Sequence, residues 1–330
     1  MQATVPGKII LSGEHSIVYG AAAIAVAVSA TVHARFVPTS SDRIDLIISH
    51  GRFTKKTTDL PRLKEQLDRA YTQFELGNIT IAKLLKSPVE LLFYTLAVAG
   101  LTVSGEIHLS STIPIRAGMG SSAACIGALL RLSEQIQGRE PASKEATAEN
   151  VRYCERLQHG RGSIIDAAAV SFGGVVKVAD GTIKSLPIKL DPKHWFLWNS
   201  GTALSSTGEA VAAVRAKFEN SPIWQEFNDT TLLLESSITR NDAAGIKSAI
   251  ADNHRLLCTI GVVPDRVRAA IERIEQTGAS AKISGAGSIQ SGGGGQVLVY
   301  LDDRVDQQAL QALDIPLTSL ELSGRGAYGE

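Results

Sequence analysis

At 330 residues, 44% of them hydrophobic, the chain exceeds the usual size of one core and two domains are expected. The 33 Lys and Arg balance the 33 Asp and Glu, so the basic excess of a nucleic-acid binder is missing, while small anionic substrates remain open to local charges and backbone N–H groups. Three scattered cysteines (Cys125, Cys154 and Cys258) speak against a disulfide framework or a zinc site.

The first residues show neither the basic nor the apolar region of a signal peptide, and no run of about 18 apolar residues suggests a membrane span. A reducing cytoplasm is the expected setting. Strands are expected at residues 4–11, 23–28, 31–37 and 44–48. Helices follow at 61–74 and 88–99, the first with Leu63, Leu67 and Tyr71 on one face. A strand at 106–112 leads through a glycine-rich turn into a helix at 121–136. A further helix at 144–157 carries Val151, Cys154 and Leu157 on one face.

Strands at 173–179 and 182–188 flank Asp180-Gly181, a two-residue hairpin signal. With Pro187 and Pro192 nearby, the domain boundary is placed at about residue 190, giving units 1–190 and 191–330. The second half is helix-rich: 207–219, 230–238, 243–261 and 264–277. Strands at 281–284 and 296–301, a short helix at 305–313 and a strand near 317–322 complete an α+β unit.

The turn Pro114-Ile115-Arg116-Ala117-Gly118-Met119-Gly120-Ser121-Ser122-Ala123-Ala124 joins a strand to a strong helix. Gly118 and Gly120 permit positive φ and close backbone approach. The free N–H groups of the new helix sit at its positive dipole end, which suits phosphate. Ser121 and Ser122 add hydroxyls that can cap the helix or ligate a metal on a phosphate. The bland alternative is an ordinary capped helix. Neither a P-loop lysine nor the full dinucleotide glycine spacing is present.

Two further constellations contain ionisable groups. Lys8, Glu14, His15 and Tyr19 cluster around the end of the first strand, where a surface Glu-His pair on a turn is the structural alternative. Asp166 sits in the apolar run Ile164-Ile165-Asp166-Ala167-Ala168-Ala169. There it needs a cation, a Lys or a reacting hydroxyl, unless it faces solvent or caps a helix. A third glycine tract, Gly285-Ala286-Gly287 followed by Gly292–Gly295, carries more glycine than a plain turn warrants; close backbone approach or a disordered loop would account for it.

Taken in order, Pro6-Gly7-Lys8, then Pro114-x3-Gly118-Met119-Gly120-Ser121-Ser122-Ala123, then Ser284-Gly285-Ala286-Gly287 resemble the GHMP kinase superfamily over essentially the whole chain. Within it, the segment Gly7–Gly20 is most similar to the mevalonate kinases. The resemblance implies a two-domain α+β fold, with a ribosomal-S5-like first domain, a ferredoxin-like second domain, and nucleotide and substrate between them. It implies ATP and Mg2+ as cofactors and phosphorylation of the primary hydroxyl of mevalonate. Asp166 is the implied catalytic aspartate, with Lys8 assisting deprotonation of the attacking hydroxyl. Pro114, Ala117, Gly118, Met119, Gly120, Ser121, Ser122 and Ala123 are the implied nucleotide cradle. Ser122 and Glu155 are the implied magnesium ligands. Glu14, His15, Tyr19, Thr207, Gly285 and Ala286 are the implied substrate contacts. The resemblance implies neither a nucleic-acid nor a membrane partner, and a homodimer is compatible with it.

Two departures stand out. The family's Pro-Ser-Gly-x-Asp reads Gly162-Ser163-Ile164-Ile165-Asp166 here, and Ser288-Ile289-Gln290-Ser291 precedes the tetraglycine. Another kinase of the superfamily acting on phosphomevalonate or a sugar, a decarboxylase of the same fold acting on diphosphorylated mevalonate, and a non-catalytic ligand sensor are the alternatives.

Overall fold

The computed structural model describes residues 1–114, 117–160 and 163–329. Ile115 and Arg116 of the glycine turn, and Arg161 and Gly162 ahead of Asp166, therefore lie outside the described residues. The spine of the molecule is the antiparallel pair β1 (Gln2–Ser12) and β2 (Ala23–Pro38). β1 is buried along almost its whole length, as expected of a central strand lined with Val, Ile and Leu. β2 is one strand where two were expected. The irregularity needed at Ser29-Ala30 is absorbed by a register shift opposite Pro6 and Gly7, where a proline without an N–H is tolerated.

Around this pair stand β3 (Arg43–Ile48), β4 (Gly51–Lys56) and β5 (Gly105–Ser111) on one side, with β6 (Val175–Ala179) and β7 (Thr182–Leu186) beside β2. β3 runs parallel to β5 while the other pairings are antiparallel, so the sheet is mixed. β4 has no strong strand signal in sequence and forms by pairing with β3. The Asp180-Gly181 turn has φ of 50° and 71°, the left-handed pair that a two-residue hairpin requires.

Five helices accompany this sheet: α1 (Leu60–Glu75), α2 (Pro88–Val98), α3 (Ser121–Ile136), α4 (Lys144–His159) and α5 (Ile164–Phe172). α1 buries Leu60, Leu63, Leu67 and Tyr71, the expected stripe. α3 and α5 pack directly on β1 and β2. α4 and α5 are capped by Ser143 and Ser163, whose hydroxyls accept from Ala146 N–H and Ile165 N–H.

The second sheet begins at β8 (Trp195–Asn199), an aromatic strand missing from the sequence-based expectation, and runs β11-β8-β10-β9, all antiparallel. Its other strands are β9 (Ser280–Ile283), β10 (Gln296–Tyr300) and β11 (Thr318–Ser319). Between β8 and β9 lie α6 (Thr207–Phe218), α7 (Ile223–Thr239), α8 (Ala243–Thr259) and α9 (Asp265–Glu275); α10 (Gln307–Gln311) precedes β11. α7 starts at Ile223 rather than at 230, because Trp224 and Phe227 are buried in the second core. Leu234 and Ile238 of α7 join Ile246 and Ile250 of α8 in the first core, so the two halves share an apolar seam.

The division 191–330 needs one correction. After β11 the chain returns to the first sheet: Leu322 bridges Val28, and β12 (Tyr328–Gly329) pairs with β1. The tail thus belongs structurally to the first half. No helix among the described residues is long and apolar enough to cross a membrane.

Candidate active site

A cleft of about 320 Å³ opens between the two halves, lined by β1, the glycine turn, the start of α5, the start of α6 and the third glycine tract. Lys8 projects into it from β1. Its Nζ lies 2.9 Å from Asp166 Oδ1 on the first turn of α5. The ammonium is buried and the carboxylate is partly open. The Lys8 N–H donates to Met119 O at 3.0 Å, which joins the glycine turn to β1.

Gly120 caps α3 in the left-handed region at φ 69°, and a Cβ there would come 2.8 Å from Lys8 Cγ. Only glycine lets the lysine stem pass. Gly118, at φ 76°, lies against the second half: a Cβ there would meet Ser284 O at 2.9 Å. The Gln296 N–H donates to Ala117 O, and the Ile10 N–H donates to Ser284 Oγ at 2.9 Å. The phosphate turn and the third glycine tract are therefore packed backbone to backbone, the close approach that their composition suggests.

α3 differs from α4, α5 and α6 in having no side-chain cap, so the N–H groups of its first turn are left for a ligand. That uncapped end beside two glycines fits a nucleotide's phosphates. Ser122 lines the cleft on this turn, and its hydroxyl donates to Glu155 Oε1 at 2.7 Å. Glu155 stands behind Ser122, fully buried on α4. Burial, and then the nearby Asp166 charge, push its carboxyl up to about 8. Such a carboxyl is poorly satisfied as an anion, and Mg2+ would relieve that. No group of three His, Cys, Asp or Glu able to hold a metal occurs among the described residues. A hydroxyl with one or two carboxylates nevertheless fits Mg2+, which takes few protein oxygens and fills its remaining positions with phosphate and water.

Glu14 and His15 also line the cleft. Glu14 Oε1 pairs with the buried Lys282 on β9, while Oε2 has no hydrogen-bond partner among the described residues. Burial lowers the Lys282 pKa, and the Glu14 charge opposes that shift. His15 is buried and pushed down to about 4, hence neutral. Its Nε2–H donates to Ala286 O at 3.0 Å, leaving Nδ1 as an acceptor. Thr207, Gly285 and Ala286 line the same cleft, as do Pro114, Ala117, Gly118, Met119, Gly120 and Ser121.

Two expected contacts lie elsewhere. Tyr19 is not a cleft residue: its ring stacks on Trp224 of α7, centroids 4.1 Å apart and 11° from parallel, because the turn before it carries Glu14 and His15 inwards and Tyr19 outwards to the second core. Ala123 is fully buried inside α3, one residue beyond the helix end that faces the cleft.

Lys282 and His159 were missed. Lys282 is a charged residue between Ala281 and Ile283 in a fully buried strand, a pattern that itself calls for a partner. His159 lines the cleft four residues after Glu155, on the same face of α4.

The family profile described as GHMP kinases N terminal domain matches residues 83–174, and GHMP kinases C terminal matches 234–315. The mevalonate kinase of Archaeoglobus fulgidus is 32% identical over 291 residues, 87% of this chain and 89% of that protein. The mevalonate kinase of Thermococcus sibiricus is 30% identical over 86% of each chain. The crystal structure of Methanococcus jannaschii mevalonate kinase superposes with a TM-score of 0.74 over 98% of each chain at 20% identity, a likeness of fold. Ordered motifs, two domains meeting at a lysine–aspartate cleft, and full-length relatives agree that this chain belongs to the GHMP kinase family, on its mevalonate kinase branch.

Proposed function

We propose that the chain transfers the γ-phosphoryl group of ATP to the primary hydroxyl of mevalonate, giving 5-phosphomevalonate and ADP. The observation that carries this reading is the Lys8–Asp166 pair at 2.9 Å, placed beside the uncapped end of α3. Phosphoryl transfer demands positioning and charge neutralisation more than covalent chemistry. The first-turn N–H groups of α3 and the backbone of Gly118 and Gly120 hold the phosphates. Asp166 Oδ orients the acceptor hydroxyl and takes its proton, and Lys8 balances the charge that develops between them.

Ser122 and Glu155 are the residues that would hold Mg2+, which supplies charge neutralisation on the phosphate oxygens. Glu14 Oε2 and His15 Nδ1 offer acceptors to the hydroxyl groups of the acceptor molecule, while Thr207, Gly285 and Ala286 close the opposite wall. The same reading describes a cytoplasmic enzyme that acts on small molecules, engages neither nucleic acid nor membrane, and is compatible with a homodimer.

An ADP-release assay over mevalonate, phosphomevalonate, galactose and homoserine tests the assignment. Turnover confined to mevalonate supports it. Preference for another acceptor, release of carbon dioxide from diphosphomevalonate, or tight ATP binding without any turnover would each overturn it.

A further inference from the structure

Residues 13–22, which bring Glu14 and His15 into the cleft, do not adopt a relaxed conformation of their own. Gly13 and Gly20 have φ of 97° and 90°, and His15, which has a side chain, sits at φ 59°. A non-glycine residue held there costs about 1 kcal/mol or more and persists only where its surroundings impose it. Lys282 holds Glu14 and Ala286 O holds His15 directly; the segment on either side of them is held by α7 in the other half.

Three α7 side chains hold this segment along its length. At its start, Thr231 Oγ1 lies 2.7 Å from Ser12 Oγ. The Thr231 hydroxyl donates to Phe227 O, so it accepts from Ser12, whose own oxygen accepts from Asn253 Nδ2. In its middle, Trp224 stacks on Tyr19. At its end, the Ala22 N–H donates to Asn228 Oδ1 at 3.0 Å. Residues 224, 228 and 231 have the i, i+4, i+7 spacing of a single helical face. The phosphate turn and Asp166 stand instead on α3 and α5.

We infer that Trp224, Asn228 and Thr231 are positioning residues for the phosphoryl acceptor. They touch no reacting group. They set how far Glu14 and His15 reach into the cleft, so this face of α7 governs acceptor affinity separately from nucleotide affinity. The inference rests on the reading that Glu14 and His15 contact the acceptor.

The test uses the full chain, with the acceptor selected by the turnover assay, and compares Thr231→Val and Asn228→Leu with Thr231→Ser and Asn228→Asp. The first two remove the accepting oxygen and the last two keep it. The expected result is an acceptor KM raised about tenfold in the first pair and near normal in the second, with the ATP KM within about twofold throughout. A parallel rise in both KM values, an unchanged acceptor KM in Thr231→Val and Asn228→Leu, or failure of the oxygen-keeping variants to rescue would overturn it. If Asn228→Leu does not fold, Thr231→Val decides alone, since it removes one hydroxyl at nearly constant shape. Failure of the underlying reading looks different: Glu14→Gln would then leave the acceptor KM unaltered.

Discussion

Lys8 Nζ meets Asp166 Oδ1 at 2.9 Å, with the lysine buried and the aspartate facing the cleft. An ammonium buried on β1 beside a carboxylate on α5 joins these two elements at the cleft. Asp166→Asn keeps the shape and removes the proton acceptor. The expected outcome is a kcat lower by about 10²- to 10⁴-fold, with the ATP KM little changed, measured in steady-state assays at saturating Mg2+. Lys8→Met should lower kcat as well while leaving Asp166 without its buried partner. Near-normal turnover in Asp166→Asn would remove this carboxylate from the chemistry.

Glu155 gives the site a pH dependence with a definite sign. Its folded-state pKa of about 8 is raised above the ordinary glutamate value of 4.5 by burial and by Asp166. A raised acid contributes stability that is fully present below pH 4.5 and lost as pH rises through 8. In metal-free protein, unfolding midpoints should therefore fall from acid towards pH 8, and Glu155→Gln should flatten that slope. Since a proton competes for the ligand, Mg2+ affinity should rise over the same window. An Mg2+ requirement identical in Glu155→Gln and the parent chain would separate Glu155 from the metal.

How far the molecule could be read from its sequence depended on whether the signal was local. Residues 121–136 read as a helix because the glycines end where an apolar period begins, and α3 has those bounds. Asp180-Gly181 specified a hairpin by backbone conformation alone. β4 has little apolar alternation and exists by pairing with β3, so no local pattern announced it. The return of residues 322–329 to the first sheet is a tertiary choice of the same kind. At the site, the glycines and Lys8 were legible, since close approach leaves a compositional trace. Lys282 was not, because its partner Glu14 lies 268 residues away in sequence. Tyr19 was placed in the cleft by its neighbours in sequence, whereas the turn reverses its direction.

Gly120 tests the packing of the phosphate turn. A Cβ there would come 2.8 Å from Lys8 Cγ, and φ of 69° disfavours any side chain. Gly120→Ala should displace Lys8 from Asp166 as well as strain the helix start, with a stability loss of about 1–3 kcal/mol. The diagnostic result is a kcat loss larger than that of Gly118→Ala, whose neighbour is the Ser284 carbonyl rather than Lys8. Equal effects on kcat would mean that the lysine stem does not depend on the glycine.

Lys282 and Glu14 form an ion pair in which both side chains are essentially inaccessible to water. Two charges so placed have surrendered most of their hydration, and their mutual attraction does little more than compensate for it. The pair is therefore weak evidence for stability but a strong restraint on variants. Lys282→Met leaves the Glu14 carboxylate buried against apolar neighbours, which should cost about 3–5 kcal/mol in chemical unfolding. Glu14→Gln in the same chain removes the orphaned charge, so the double variant should be more stable than Lys282→Met alone, with a coupling energy above about 1 kcal/mol. Activity should not return with stability, because the Glu14→Gln change puts an amide where Glu14 Oε2 has no hydrogen-bond partner among the described residues. Additive stability losses would show that Lys282 is held by Ile10 O and the surrounding packing, and that the two charges are not coupled.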